Sequence, residues 1–151
     1  MDISTITEAF SDVTIQSPTV GVMLAGLLAV ALVFLSAFAS GSEIAFFSLS
    51  PSDVAELEDG KNPSDRKIQM LREDSERTLA TILITNNFVN VMIVMLLSNI
   101  FVSIVQFGPK AYWLEFLIMT VFLTFLLLLF GEIMPKVYCR QNPLRFCRRC
   151  V

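Results

Sequence analysis

Asn86, Asn87 and Asn90 fall in one stretch that carries no charge between Arg77 and Lys110. Asn86 and Asn90 are four apart, and Asn87 and Asn90 three apart, so on a helix at least two of these amides share a face. Ser36 and Ser40 are likewise four apart in another uncharged run, which continues as Gly41-Ser42-Glu43. Glu132 closes a third apolar run, Phe116 to Phe130, within Phe130-Gly131-Glu132-Ile133-Met134-Pro135-Lys136. An ionised side chain at the centre of a membrane helix costs several kcal/mol, so one that persists there faces a partner, a cavity or an ion. Amide carbonyls, hydroxyls and one carboxylate are hard oxygen ligands, the set that suits Mg²⁺ or Ca²⁺ rather than copper, zinc or iron.

The elements that must position these residues follow from composition. Of 151 residues, 54% are hydrophobic and 17% charged, and the mean hydropathy of +0.67 is far above that of a soluble domain. With no histidine and three cysteines, imidazole chemistry and the common zinc hydrolase sites are excluded. No nucleophile and base pair is legible, so the expectation is a protein that is not an enzyme. Nothing points to nucleic acid.

Three spans are predicted, at about 20–42, 78–107 and 111–134, making an all-α membrane protein. The first run is too long for a signal-peptide core, and no basic segment precedes it. Residues 1–19 hold Asp2, Glu8 and Asp12 and no Lys or Arg. Basic residues gather instead in 51–77 and from Lys136 onward, with Lys110 alone elsewhere. The positive-inside rule therefore puts the N-terminus outside, the 51–77 linker and the C-terminus inside. Gly108-Pro109-Lys110 reads as a short external turn, with Tyr112 and Trp113 as interfacial anchors and Glu115 at the outer headgroups.

In the linker, Ser50-Pro51-Ser52-Asp53 has the form of a helix start, and Asp59-Gly60-Lys61-Asn62-Pro63 that of a turn, which together predict a charged helical hairpin. Residues 138–151 are basic with scattered apolar positions and read as a juxtamembrane helix on anionic lipid. Cys139, Cys147 and Cys150 are expected as reduced thiols, with packing, palmitoylation and a redox or metal role all open for Cys147-x-x-Cys150.

Counted from the inner ends of the spans, Ser40 to Glu43, Asn86 to Asn90 and Glu132 all fall in the inner half of the bilayer, within roughly two to three helical turns of one another. Gly41 and Gly131 would let backbone carbonyls face a cation, and Pro135 is expected to break the helix beside Glu132. Competing readings stand for each group. Ser, Gly and Asn serve as glue between membrane helices, Glu43 fits a boundary carboxylate, and Glu132 has Lys136 four residues on as a partner.

Ser40-Gly41-Ser42-Glu43-Ile44-Ala45-Phe46-Phe47-Ser48-Leu49, Ala80-Thr81-Ile82-Leu83-Ile84-Thr85-Asn86-Asn87-Phe88-Val89-Asn90 and Phe130-Gly131-Glu132-Ile133-Met134-Pro135-Lys136 resemble, in order, the three signature stretches of the CorC and CNNM magnesium transporter family. The resemblance covers about residues 20–145 and is to the transmembrane domain. The long charged linker and the Asn142-Pro143 pair look most like the Bacteroidetes gliding-motility-associated branch. Gly41 and Ile44 depart from the commoner bacterial Ser-Ala-Ser-Glu-Thr without removing a proposed ligand.

The resemblance implies a homodimer in a bacterial inner membrane, with a dehydrated Mg²⁺ in an inward-facing cavity. Carried over residue by residue, it implies Ser40, Asn86, Asn90 and Glu132 as ligands, with Gly41, Gly131, Ser42, Glu43 and Asn87 as backbone or secondary contacts. Family members continue into cytoplasmic nucleotide-binding CBS modules, which this sequence lacks, so it reads as part of a longer chain. The expected function is Mg²⁺ export by alternating access, coupled to Na⁺ entry. The alternative is a non-transporting scaffold or sensor subunit of a motility or secretion complex, in which the same polar residues hold helices together.

Overall fold

In the computed structural model, which describes residues 13–106 and 112–151, three helices are long and apolar enough to cross a membrane: Val20–Phe47, Ser75–Ile104 and Tyr112–Gln141. Only about a tenth to a sixth of the most apolar part of each is buried within the protein. Phe34, Leu27, Met95 and Phe116 are among the side chains left about 70% exposed. For an all-α chain this is the pattern of a membrane protein, whose outer surface matches lipid tails rather than water.

The first span, α1 (Val20–Phe47), begins at Thr19, whose hydroxyl accepts from the Val22 amide at 3.4 Å. It runs unbroken through Gly41 to Phe47, longer than the predicted 20–42. Its inward face is built largely of small residues: Ala29, Ser36, Ala39, Ser40, Gly41, Ser42 and Ala45 are all buried. Small side chains allow neighbouring helices to approach closely where hydrophobic driving force is absent, and α1 packs against the second span, the inner part of the third and the C-terminal helix.

The hairpin follows as α2 (Pro51–Glu58) and α3 (Asp65–Glu73). Ser50 caps α2 as predicted, in a full capping box: the Ser50 hydroxyl accepts from the Asp53 amide at 3.2 Å and the Asp53 carboxylate accepts from the Ser50 amide at 2.9 Å. Gly60 takes the turn with φ of +63°, a conformation that disfavours a side chain. Gln69 closes the hairpin by donating to the Leu57 carbonyl at 2.7 Å.

The second span, α4 (Ser75–Ile104), starts three residues before the predicted Thr78 and presents Asn86, Val89 and Ile93 to the interior. Leu32, Val89 and Ile93 form an apolar cluster with Leu127 of the third span against it. Short strands β1 (Thr14–Ile15) and β2 (Val105–Gln106) pair antiparallel, tying the chain before α1 to the end of α4. The expected turn at Gly108-Pro109-Lys110, and Asp2, Glu8 and Asp12, lie outside the described residues.

The third span departs most from expectation. It comprises α5 (Tyr112–Leu127), a π-helical turn (Leu128–Ile133) and α6 (Met134–Gln141). Pro135 does not end the helix. The wider turn before it, in which the Met134 amide bonds the Leu129 carbonyl five residues back, absorbs the ring's conflict with the preceding turn.

The juxtamembrane helix α7 (Pro143–Cys150) then folds back under α1. There Leu57, Ile68, Cys139 and Cys147 pack around Ala45 in a second apolar cluster. Asp65 of α3 is fully buried and takes a two-pronged contact from Arg148 of α7, Nε to Oδ1 at 2.8 Å and Nη2 to Oδ2 at 3.2 Å. Arg148 also reaches Glu56 at 2.8 Å. The predicted lipid-surface helix is thus also a structural prop, clasped to the hairpin.

Candidate functional site

Where α1, α4 and the π-helical turn meet, their polar side chains form one connected chain. The Ser36 hydroxyl lies 3.0 Å from Asn86 Oδ1 and 2.6 Å from Asn90 Oδ1. Asn86 Nδ2 donates to the Ser40 hydroxyl at 3.3 Å. Asn90 Nδ2 faces Glu132 Oε1 at 3.5 Å, the outer limit of a hydrogen bond. Ser36 and Ser40 are wholly buried and Asn86 is 4% exposed, whereas Asn90 and Glu132 are half-buried.

Local structure explains the convergence. Four-residue spacing puts Ser36 and Ser40 on one stripe of α1 and Asn86 and Asn90 on one stripe of the antiparallel α4, facing each other. Gly131 brings the third span in: a Cβ there would sit 3.2 Å from the Ser36 hydroxyl oxygen. Pro135, having no N–H, cannot supply the donor that α-helical spacing would bring to the Gly131 carbonyl. π-helical turns recur at functional sites because they re-aim side chains in this way.

All four residues proposed as ligands, Ser40, Asn86, Asn90 and Glu132, lie in this one chain of contacts. Ser36 is its centre, although the motif resemblance did not include it among the ligands; its spacing to Ser40 was the available signal. Of the secondary positions, Gly131 lies against Ser36 at the site, and Asn87, Ser42 and Glu43 lie elsewhere. Asn87 is exposed on α4. Ser42 donates its hydroxyl to the Phe38 carbonyl at 2.8 Å, within its own helix. Glu43 pairs with Lys136 at 3.2 Å, so Lys136 is not engaged by Glu132 four residues earlier.

Gly41 stays helical, and its role here is close packing rather than an opened carbonyl. A Cβ there would meet Cys139 Sγ at 2.6 Å and Phe146 Cζ at 3.2 Å.

One imbalance stands out chemically. Ser36 carries a single hydroxyl proton and faces two amide oxygens, so one oxygen–oxygen approach is always without a proton. With Ser40 and Glu132 beside them, five oxygen-bearing side chains gather, one of them a carboxylate. Such a group is complementary to a small cation that accepts neutral oxygens.

Residues 27–151 match the family model of the cyclin M transmembrane N-terminal domain. A DUF21 domain-containing chloroplastic protein of Arabidopsis thaliana is 36% identical over 123 residues, covering 82% of this chain. Those residues make up 18% of that protein, so the chain spans under a fifth of its relative's length. With three apolar spans carrying the three signature stretches, and a family match over most of its length, the chain belongs to the cyclin M (CNNM) transmembrane-domain family.

Proposed function

We propose that this chain is the membrane domain of a Mg²⁺ transporter that moves the ion out of the cytoplasm by alternating access, driven by Na⁺ entry. The observation that carries this reading is the Ser36 hydroxyl held between the Asn86 and Asn90 oxygens, with Glu132 next in line. Mg²⁺ gives up its water reluctantly, so a site that strips it must offer several oxygens at once. Ser40, Asn86, Asn90 and Glu132 are the proposed ligands. Ser36 turns its hydroxyl proton away when the ion arrives, leaving both amide oxygens free to face it.

The basic residues of the hairpin and of α7 support an orientation with these elements in the cytoplasm and the N-terminus outside. A homodimer in a bacterial inner membrane, with cytoplasmic regulatory domains continuing beyond this segment, is the setting the motif resemblance favours. The role is transport rather than catalysis.

The test is isothermal titration of the purified protein in detergent micelles with MgCl₂, followed by Mg²⁺ flux from proteoliposomes. Saturable binding is expected, lost in Glu132→Gln and in Asn90→Leu variants that still elute as the wild type does. Unchanged binding in Glu132→Gln overturns the assignment. Asn90→Leu that leaves binding intact and only loosens the assembly favours a scaffold instead.

A further inference from the structure

Among the described residues, Lys136–Glu43 is the ion pair that joins two membrane-spanning helices; the others lie within the hairpin region or tie it to α7. Its nitrogen and oxygen are 3.2 Å apart, and the side chains are 33% and 23% exposed. Glu43 lies three residues beyond Ser40 on α1, and Lys136 four residues beyond Glu132 on the third span. Both therefore sit about one helical turn from the site, roughly 5 Å along the axes, toward the hairpin side. Lys136 has two carboxylates in its neighbourhood, Glu43 across the helix interface and Glu132 four residues back in the π-helical turn of its own span, and the one it pairs with is Glu43.

We infer that Glu43 is a positioning residue that holds Lys136 off Glu132, keeping the site's one carboxylate free for a divalent cation. This rests on the cation-site reading above and adds to it a residue that does not touch the ion. Charge arithmetic gives the mechanism. Glu43, Lys136 and Glu132 together carry −1. Without Glu43 the total is zero, and the nearest counter-charge for the Lys136 ammonium becomes Glu132, so a tethered cation competes with the free one. Without Lys136 the total is −2 and no competitor exists. Without both it returns to −1, still with no competitor.

The experiment titrates MgCl₂ into full-length wild type, Glu43→Gln, Lys136→Gln, the double variant and Glu43→Asp, each checked for elution volume and thermal unfolding. Glu43→Gln is expected to weaken Mg²⁺ binding about tenfold, or about 1.4 kcal/mol. The double variant recovers to within about threefold of wild type, Glu43→Asp recovers likewise, and Lys136→Gln binds as tightly as wild type or more so. A merely structural pair gives another pattern, in which both single variants weaken binding and the double variant is no better. That pattern overturns the inference, as does unchanged binding in Glu43→Gln. Should Glu43→Gln fail to fold, Lys136→Gln decides alone, since weaker binding there contradicts the competitor role. If folded wild type shows no Mg²⁺ binding, the cation-site reading itself has failed and this inference falls with it; binding lost in Glu132→Gln but indifferent to Glu43 fails only the inference.

Discussion

The Ser36 hydroxyl oxygen of the first span lies 2.6 Å from the Asn90 side-chain oxygen of the second, while Asn86 Oδ1 stands 3.0 Å away on the other side. One proton serves two acceptors inside an apolar bundle. Removing it leaves both amide oxygens without the Ser36 donor.

Ser36→Ala is therefore expected to destabilise the bundle by about 1–3 kcal/mol, the range for stranding buried polar partners. Thermal unfolding in detergent without added divalent cation measures it. Stability equal to wild type would show that the Asn86 and Asn90 amides find other donors.

Gly41→Ala places a methyl group where Cys139 Sγ would be 2.6 Å away and Phe146 Cζ 3.2 Å away. Overpacking of this kind costs about 1–3 kcal/mol. Because the clash falls on one sulfur first, Cys139→Ala should relieve much of it, and the double variant should lose less than the sum of the singles. Additive losses would place the strain in Phe146 and α7 instead.

The Arg148 guanidinium holds the Asp65 carboxyl below its usual range, against the opposing effect of burial. A carboxyl whose pKa is lowered on folding stabilises the fold above its unfolded value of 3.8 and loses that contribution as pH falls through the folded value. The hairpin clasp should thus be intact at neutral pH and open in strong acid. Asp65→Asn should already be loosened at pH 7, with unfolding lowered by roughly 5 °C. Protease cleavage near Gly60, compared between wild type and Asp65→Asn at neutral pH, reports the opening. Equal cleavage would assign the stability of the hairpin to Leu57 and Ile68 alone.

Burial in the cluster beneath α1, with Cys150 and Cys139 nearby, pushes the Cys147 thiol up to about 12. The thiolate is the reactive form. Cys147 is expected to resist maleimide at pH 7 to 8 in the folded protein and to react once denatured. Rapid labelling of the native protein would mean that α7 detaches from the bundle.

Much of the architecture is written in the chain because the membrane imposes a coarse and legible code. Long uncharged runs dictated the first two spans and the apolar core Phe116 to Phe130 the third, Ser50-Pro51-Ser52-Asp53 dictated a capped helix start, and Asn86 and Asn90 at i, i+4 dictated a shared face. Boundaries proved less legible, since a helix need not stop at a charge or a proline: α1 continues past Glu43 to Phe47 and the third span past Pro135 to Gln141.

What the tertiary structure decided was which partner each polar group takes. Local spacing alone offers Lys136 to Glu132, yet the packing of α6 on α1 brings Glu43 within 3.2 Å. Spacing marks Asn87 as readily as Asn86, yet the rotation of α4 against α1 buries one and exposes the other. Ser36 becomes the centre of the site because the packing of α4 on α1 brings Asn86 and Asn90 to it, and Gly131 lets the π-helical turn come close on the third side. Periodicity is a property of one helix, so the sequence determined the spans and their polar stripes; contact needs a second helix at a given rotation, depth and distance, and only close packing of small residues supplies those.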